Sequence, residues 1–276
     1  MKTIEQIIAQ KAQQQPITML TAYDYPFASF VDEAGIDMIL VGDSLANVVL
    51  GLESTTQVGM AEMLTSARAV VRAVKHAVVV GDMPFESYQV DGAQARANAR
   101  QFIDAGCQAV KLEWFENCPQ VVSQMTKGGI AVMGHVGLTP QTAQKLGGMK
   151  VQGRDSVSAQ AIIENALALQ KAGCFSIVLE CIPKEIARII TRQLKIPTIG
   201  IGAGPYCDGQ VLVIHDLLGL FNRYSPKFSK KYADLGGEII KAVKQYKKEV
   251  ISGQFPDDAH SFHLSEEELR KLNGPS

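Results

Sequence analysis

DMILVGDS (residues 37–44) and AVVVGDMP (77–84) decide the fold. Each is a short apolar run that stops at a glycine and an aspartate, Gly42–Asp43 in the first and Gly81–Asp82 in the second. The runs are continuous rather than alternating, as strands are when helices cover one face and a packed interior covers the other. Working outward, three more runs end in an ionisable side chain: QAVKLE at Lys111 and Glu113, IAVMGH at His135 and FSIVLE at Glu180. In a parallel β/α protein the carboxyl ends of the strands share one side of the sheet, so these distant residues should converge.

The rest of the chain follows the same alternation of strand and helix. Strands are expected at 17–21, 37–42, 77–81, 108–112, 130–134, 175–179, 197–201 and 211–214. Helical spacing occupies 25–34, 60–75, 92–105, 117–127, 156–172 and 183–193, several of these segments ending at Gly or before Pro. The seventh-to-eighth connection is too short to promise a helix. Eight roughly regular units predict a (β/α)8 TIM barrel, one domain over 1–276, with an open doubly wound sheet as the competing architecture. Residues 2–14 should form a helix capping the barrel floor. A helical extension should occupy about 229–276, with a long amphipathic helix at 229–252 and a polar tail carrying one short helix.

Composition narrows the function classes. Apolar residues make up 46% of the 276, enough for a large core, yet no run reaches the ~20 apolar residues of a membrane span. Net charge is −1 with both signs interspersed, which excludes the basic stripe that nucleic acid or an anionic membrane requires. The amino terminus lacks the apolar centre of a secretory signal, so a cytoplasmic location is expected. The five cysteines (107, 118, 174, 181 and 207) form no C-x-x-C pair and read as reduced thiols rather than a disulfide framework or zinc site.

Asp43, Asp82 and Glu113 end three neighbouring strands. Gathered carboxylates repel one another unless a cation sits among them, and oxygen donors without His or Cys suit Mg2+. The alternative is that each acid caps a helix or pairs with a lysine. Lys111 shares a face with Glu113, so both should point into the barrel, where a lysine needs an anionic partner. A carboxylate-bearing substrate, a structural ion pair and a Schiff base are the three options. Glu180, across the pocket, is placed to act as general base. His135 either orients a substrate oxygen, relays a proton or simply packs beneath its loop. GIGAG (200–204) suits a backbone phosphate site or a tight turn near substrate.

Longer blocks add a resemblance. TMLTAYDYPFA (18–28), DEAGIDMILVGDSLANVVLG (32–51), GDMPF (81–85), AVKLE (109–113), GHVGLTPQ (134–141), KVQGR (150–154), VLECIP (178–183), IPTIGIGAGPYCDGQVLVIHDLLG (196–219), PKF (226–228) and HSFH (260–263) together resemble the ketopantoate hydroxymethyltransferase family. The resemblance spans nearly the whole chain. It departs only in detail, at PYCDG after Gly204 and at Gly81 before Asp82.

The resemblance implies transfer of a one-carbon unit from the co-substrate 5,10-methylenetetrahydrofolate to 3-methyl-2-oxobutanoate, giving 2-dehydropantoate on the route to pantothenate and coenzyme A. It implies that Asp43 and Asp82 bind Mg2+, with Glu113 completing the metal site directly or through water. Asp43, Ser44, Asp82 and Lys111, with His135 beside them, would hold the 2-oxo acid, and Glu180 would be the proton acceptor. A homo-oligomer, a decamer of stacked pentamers, is also implied. The competing enzyme reading is another Mg-dependent barrel lyase or mutase acting on 2-oxo acids, of the isocitrate lyase or phosphoenolpyruvate mutase type. That chemistry calls for a cysteine in an active-site loop, and no such motif is apparent. A non-catalytic scaffold would leave Lys111 and the acids without purpose.

Overall fold

The computed structural model describes residues 1–144, 146–221 and 226–273. Eight parallel strands close into a barrel in sequence order: β1 (Ile17–Thr21), β2 (Met38–Val41), β3 (Val78–Asp82), β4 (Ala109–Lys111), β5 (Val132–Gly137), β6 (Ser176–Glu180), β7 (Thr198–Ile201) and β8 (Gly209–Leu212). Closure is made by β1 against β8, with Met19 in register with Val211. The TIM barrel expected from the sequence is therefore the observed architecture.

The helices are α1 (Ile4–Ala12), α2 (Tyr25–Glu33), α3 (Leu45–Val48), α4 (Met60–Ala73), α5 (Gly92–Asp104), α6 (Cys118–Lys127), α7 (Ser156–Ala172), α8 (Lys184–Gln193), α9 (Ile214–Leu217), α10 (Leu235–Ser252) and α11 (Glu266–Asn273). Aspartates start three of them: the side chains of Asp24, Asp91 and Asp155 accept backbone N–H groups of α2, α5 and α7. Each satisfies donors that the first turn leaves without intrahelical partners.

Alternation along the strands divides the core into two layers. Met19, Met38, Val78, Val80, Ala109, Met133, Val178, Ile199 and Val211 fill the barrel. Ile39, Val41, Val79, Val110, Leu112, Val132, Ile177 and Leu179 pack under the helices. Gly81 shows why the pattern has a glycine there, since a Cβ would lie 2.4 Å from the Phe102 ring on α5. α1, Ile4–Ala12, lies against the interior layer of the barrel. Its Ile7 is fully buried against the interior layer, worth about 2 kcal/mol, and Lys11 is fastened to Asp208 at 2.7 Å.

Three elements depart most from the sequence reading, the first being β5, which spans Val132–Gly137 rather than 130–134. β8 begins and ends two residues earlier than 211–214, because Val213 caps α9 and the Ile214 N–H is taken by Thr21 Oγ1 at 3.0 Å. α10 starts at Leu235 rather than near 229, because the preceding residues lie back on the barrel: Phe228 packs over Gly202, and Tyr232 N–H donates to Leu217 O at 2.8 Å. No α10 side chain is buried. All five cysteines are free thiols, and no helix among the described residues is long and apolar enough to cross a membrane. The last three residues of the expected tail, 274–276, lie outside the described residues.

Candidate active site

Every ionisable residue singled out in the sequence reaches one cavity. Asp43 follows β2, Asp82 ends β3, Lys111 ends β4 with Glu113 two residues beyond, His135 lies within β5, and Glu180 ends β6. With Ser44 they line a cavity of about 760 Å3 at the carboxyl ends of the strands. A larger groove, about 910 Å3, is lined by residues of β1 and β8 together with Lys11, Leu217, Phe228 and Tyr232. Its Lys11 and Asp208 are already paired with each other, so the chemistry belongs to the barrel mouth.

Lys111 Nζ donates to both oxygens of Asp82, at 2.7 and 2.8 Å. The Asp43 N–H donates to Asp82 Oδ2 at 3.1 Å, which ties the ends of β2 and β3 together. His135 stands between two acids, with Nδ1 3.6 Å from Glu113 Oε1 and Nε2 3.3 Å from Glu180 Oε2. Neither imidazole nitrogen nor Glu113 Oε1 has a hydrogen-bond partner, although all three atoms are buried. Ser44 Oγ is 2.8 Å from the Tyr23 hydroxyl.

Burial in this setting raises carboxyl pKa values. It pushes Asp82 up to about 7 against the opposing pull of Lys111, and Glu180 up to about 8 against the same ammonium. Glu113 is raised well above the usual range for the same reason. Burial also acts against the charged form of Lys111, but the charges of Asp82, Asp43 and Glu113 outweigh it and keep the ammonium. His135 is held neutral by burial and by the nearby Lys111 charge.

Four carboxyl groups thus face one ammonium, an excess of acid that a cation would relieve. The oxygens of Asp43, Asp82 and Glu113 suit a hard ion. Among the described residues no group of three His, Cys, Asp or Glu side chains is arranged to hold a metal ion as it stands, so a bound ion would need these carboxylates to adjust and substrate or water oxygens to join them.

The sequence reading missed Gln141. Its Nε2 donates to Asp43 Oδ2 at 3.0 Å and its backbone N–H to Glu113 Oε2 at 3.0 Å, while its Oε1 accepts from the Tyr88 hydroxyl. A glutamine after Thr-Pro carries no signal of burial, so nothing short of the fold distinguishes it. GIGAG forms the tight turn: Gly202 and Gly204 have φ of +64° and +77°, and a Cβ on them would lie 2.7 Å from Phe228 and 2.4 Å from Lys184.

The ketopantoate hydroxymethyltransferase family profile matches residues 1–258. The chain belongs to the ketopantoate hydroxymethyltransferase family. Relatives in that family agree over nearly full length. The 3-methyl-2-oxobutanoate hydroxymethyltransferase of Syntrophomonas wolfei is 52% identical over 98% of both chains. That of Pelobacter propionicus is 55% identical over 95% of this chain and 97% of its own.

Among solved structures, phosphonopyruvate hydrolase in complex with oxalate and Mg2+ aligns with a TM-score of 0.61, covering 99% of this chain and 95% of that one. A 2,3-dimethylmalate lyase of the PEP mutase/isocitrate lyase superfamily aligns at 0.60, covering 99% and 96%. Both are 14% identical to this chain, which shares their barrel fold.

Proposed function

We propose that this chain transfers a hydroxymethyl unit from 5,10-methylenetetrahydrofolate to 3-methyl-2-oxobutanoate, giving 2-dehydropantoate for pantothenate and coenzyme A synthesis. The observation that carries the mechanism is Glu180, a carboxyl raised to about 8 across the cavity from the Lys111–Asp82 pair. A base whose pKa lies near neutrality combines the correct protonation state with proton affinity.

Asp43 and Asp82 are the proposed Mg2+ ligands, with Glu113 completing the site directly or through water. The acid excess and the unpartnered Glu113 Oε1 support this donor set. When bound, Mg2+ supplies Lewis-acid stabilisation of the negative charge that builds on the 2-oxo oxygen.

The protein's own groups do the rest. Lys111, with Ser44 next to Asp43, receives the substrate carboxylate. Glu180 takes the C3 proton, and the electron pair left behind forms the enolate. C3 of the enolate then forms the new C–C bond to the one-carbon unit, and a water molecule supplies the hydroxyl oxygen. Both C–N bonds of the donor break to release tetrahydrofolate, whose nitrogens take up the C3 proton and one proton of the water. His135, neutral and 3.3 Å from Glu180 Oε2, can orient a substrate oxygen beside that carboxyl.

The folate is proposed to enter at the barrel mouth, where Leu52, Met149, Val213 and Phe228 give the cavity an apolar rim. Free, mostly buried cysteines support a cytoplasmic setting. The apolar stripe Ile239, Ile240, Val243, Tyr246 and Val250, exposed along α10, supports a homo-oligomer, for which we propose the decamer. The lyase or mutase alternative gains no support, since none of the five cysteines lines the cavity.

The test is direct: purified protein with Mg2+, 3-methyl-2-oxobutanoate and 5,10-methylenetetrahydrofolate should form 2-dehydropantoate, read by mass spectrometry. Absence of product under conditions where a characterised relative makes it would refute the assignment.

A further inference from the structure

Gln141 touches more of the proposed metal site than any single ligand does. It sits in the short 3-10 turn Pro140–Thr142 that follows β5, and it is 5% exposed. Its two amide hydrogens go to Asp43 Oδ2 at 3.0 Å and to Met83 O at 3.2 Å, and its backbone N–H goes to Glu113 Oε2 at 3.0 Å. Asp43 follows β2, Met83 follows β3 and Glu113 follows β4, so one residue beyond β5 joins the ends of the three strands that carry the acids.

The amide can face only one way. A carboxylate and a backbone carbonyl accept and cannot donate, so the NH2 group must point at Asp43 and Met83 and the amide oxygen must point away. That oxygen meets the hydroxyl of Tyr88, a fully buried side chain packed against Phe115 and absent from the cavity lining. Tyr88 therefore selects the amide orientation from behind, and the amide in turn occupies one oxygen of Asp43 while the backbone occupies one oxygen of Glu113. The second oxygen of Glu113 is left buried and without a partner.

We propose that the Tyr88–Gln141 pair is a positioning device that orients Asp43 and Glu113 for the divalent cation, and that Gln141 does so without ligating it. This rests on the metal reading of Asp43, Asp82 and Glu113. Partners in this position that fix ligand orientation characteristically change metal affinity by about 10- to 100-fold when removed.

The experiment is titration of the substrate-free protein with Mn2+, read by the loss of the free-ion EPR signal, with Mg2+ as competitor. Wild type, Asp82→Ala, Gln141→Leu, Tyr88→Phe and the Gln141→Leu/Tyr88→Phe double variant are compared, each checked for native melting. Gln141→Leu is expected to weaken Mn2+ about 10- to 100-fold. Tyr88→Phe should weaken it in the same direction, and the double variant should bind no more weakly than Gln141→Leu alone, because the two changes break one linkage. Wild-type affinity in folded Gln141→Leu overturns the proposal. Should Gln141→Leu fail to fold, Tyr88→Phe decides in its place: weaker binding at unchanged melting supports the device, and wild-type binding overturns it. Asp82→Ala separates the two levels. If it binds Mn2+ like wild type, the metal reading itself falls, whereas loss in Asp82→Ala alone removes only the role of Gln141.

Discussion

Lys111 and Asp82 face each other in register across β4 and β3, and the ammonium of the first reaches both carboxylate oxygens of the second, at 2.7 and 2.8 Å. The sequence left three partners open for Lys111, and in the substrate-free chain the partner is a neighbouring acid. Because the same lysine also opposes the charges of Glu113 and Glu180, one side chain keeps the whole acid cluster tolerable.

Replacing it should therefore damage stability as well as catalysis. Lys111→Met leaves Asp82 buried without its counter-charge, and breaking a buried pair typically costs about 3–5 kcal/mol. Urea unfolding of metal-free protein at pH 8 should show a loss of that order. The loss should shrink at pH 6, where the orphaned acids can take up protons.

The wild-type chain should show the same dependence in milder form. Asp82 and Glu180 have folded pKa values of about 7 and about 8, both above their ordinary values. The stability that comes from keeping such groups protonated is fully present below the unfolded pKa and is lost as pH rises through the folded one. The urea midpoint of metal-free protein should thus fall between about pH 4 and pH 8, and Glu180→Gln should remove the upper part of that fall. A midpoint rising over this window would contradict the assigned environments.

Gly81 gives a packing prediction. With a Cβ placed 2.4 Å from Phe102, Gly81→Ala should destabilise by about 1–3 kcal/mol. Adding Phe102→Leu should recover part of the loss, so the double variant should be more stable than the sum of the single changes predicts.

Oligomerisation is tested on α10. Ile240→Glu with Val243→Glu places charge in the exposed apolar stripe without touching the barrel. Sedimentation velocity should then show a smaller species than wild type. An unchanged sedimentation coefficient would place the interface elsewhere.

Much of the barrel and its site was legible because strand ends carry both signals at once. The runs ending at Asp43, Asp82, Lys111 and Glu180 mark strands by their apolar continuity and the pocket by their last residue. Gly81 also carried meaning, although its reason, the Phe102 ring, lies on a helix some twenty residues away and shows only in three dimensions. Gln141 and Tyr88 were not legible, since a buried amide and a buried phenol are defined by what surrounds them. The ends of β8 and α10 were misjudged because tertiary contacts, Thr21 on Ile214 and Leu217 on Tyr232, override local apolar pattern.

Proton removal by Glu180 is the step on which the proposed chemistry depends, and it can be watched without any folate. Wild-type protein with Mg2+ should exchange the C3 deuteron of 3-methyl-2-oxobutanoate with solvent, followed by NMR. Glu180→Gln should slow that exchange by about 100-fold or more, the scale of a lost general base, while its Mg2+ affinity stays close to wild type. Exchange at the wild-type rate in Glu180→Gln would contradict the account.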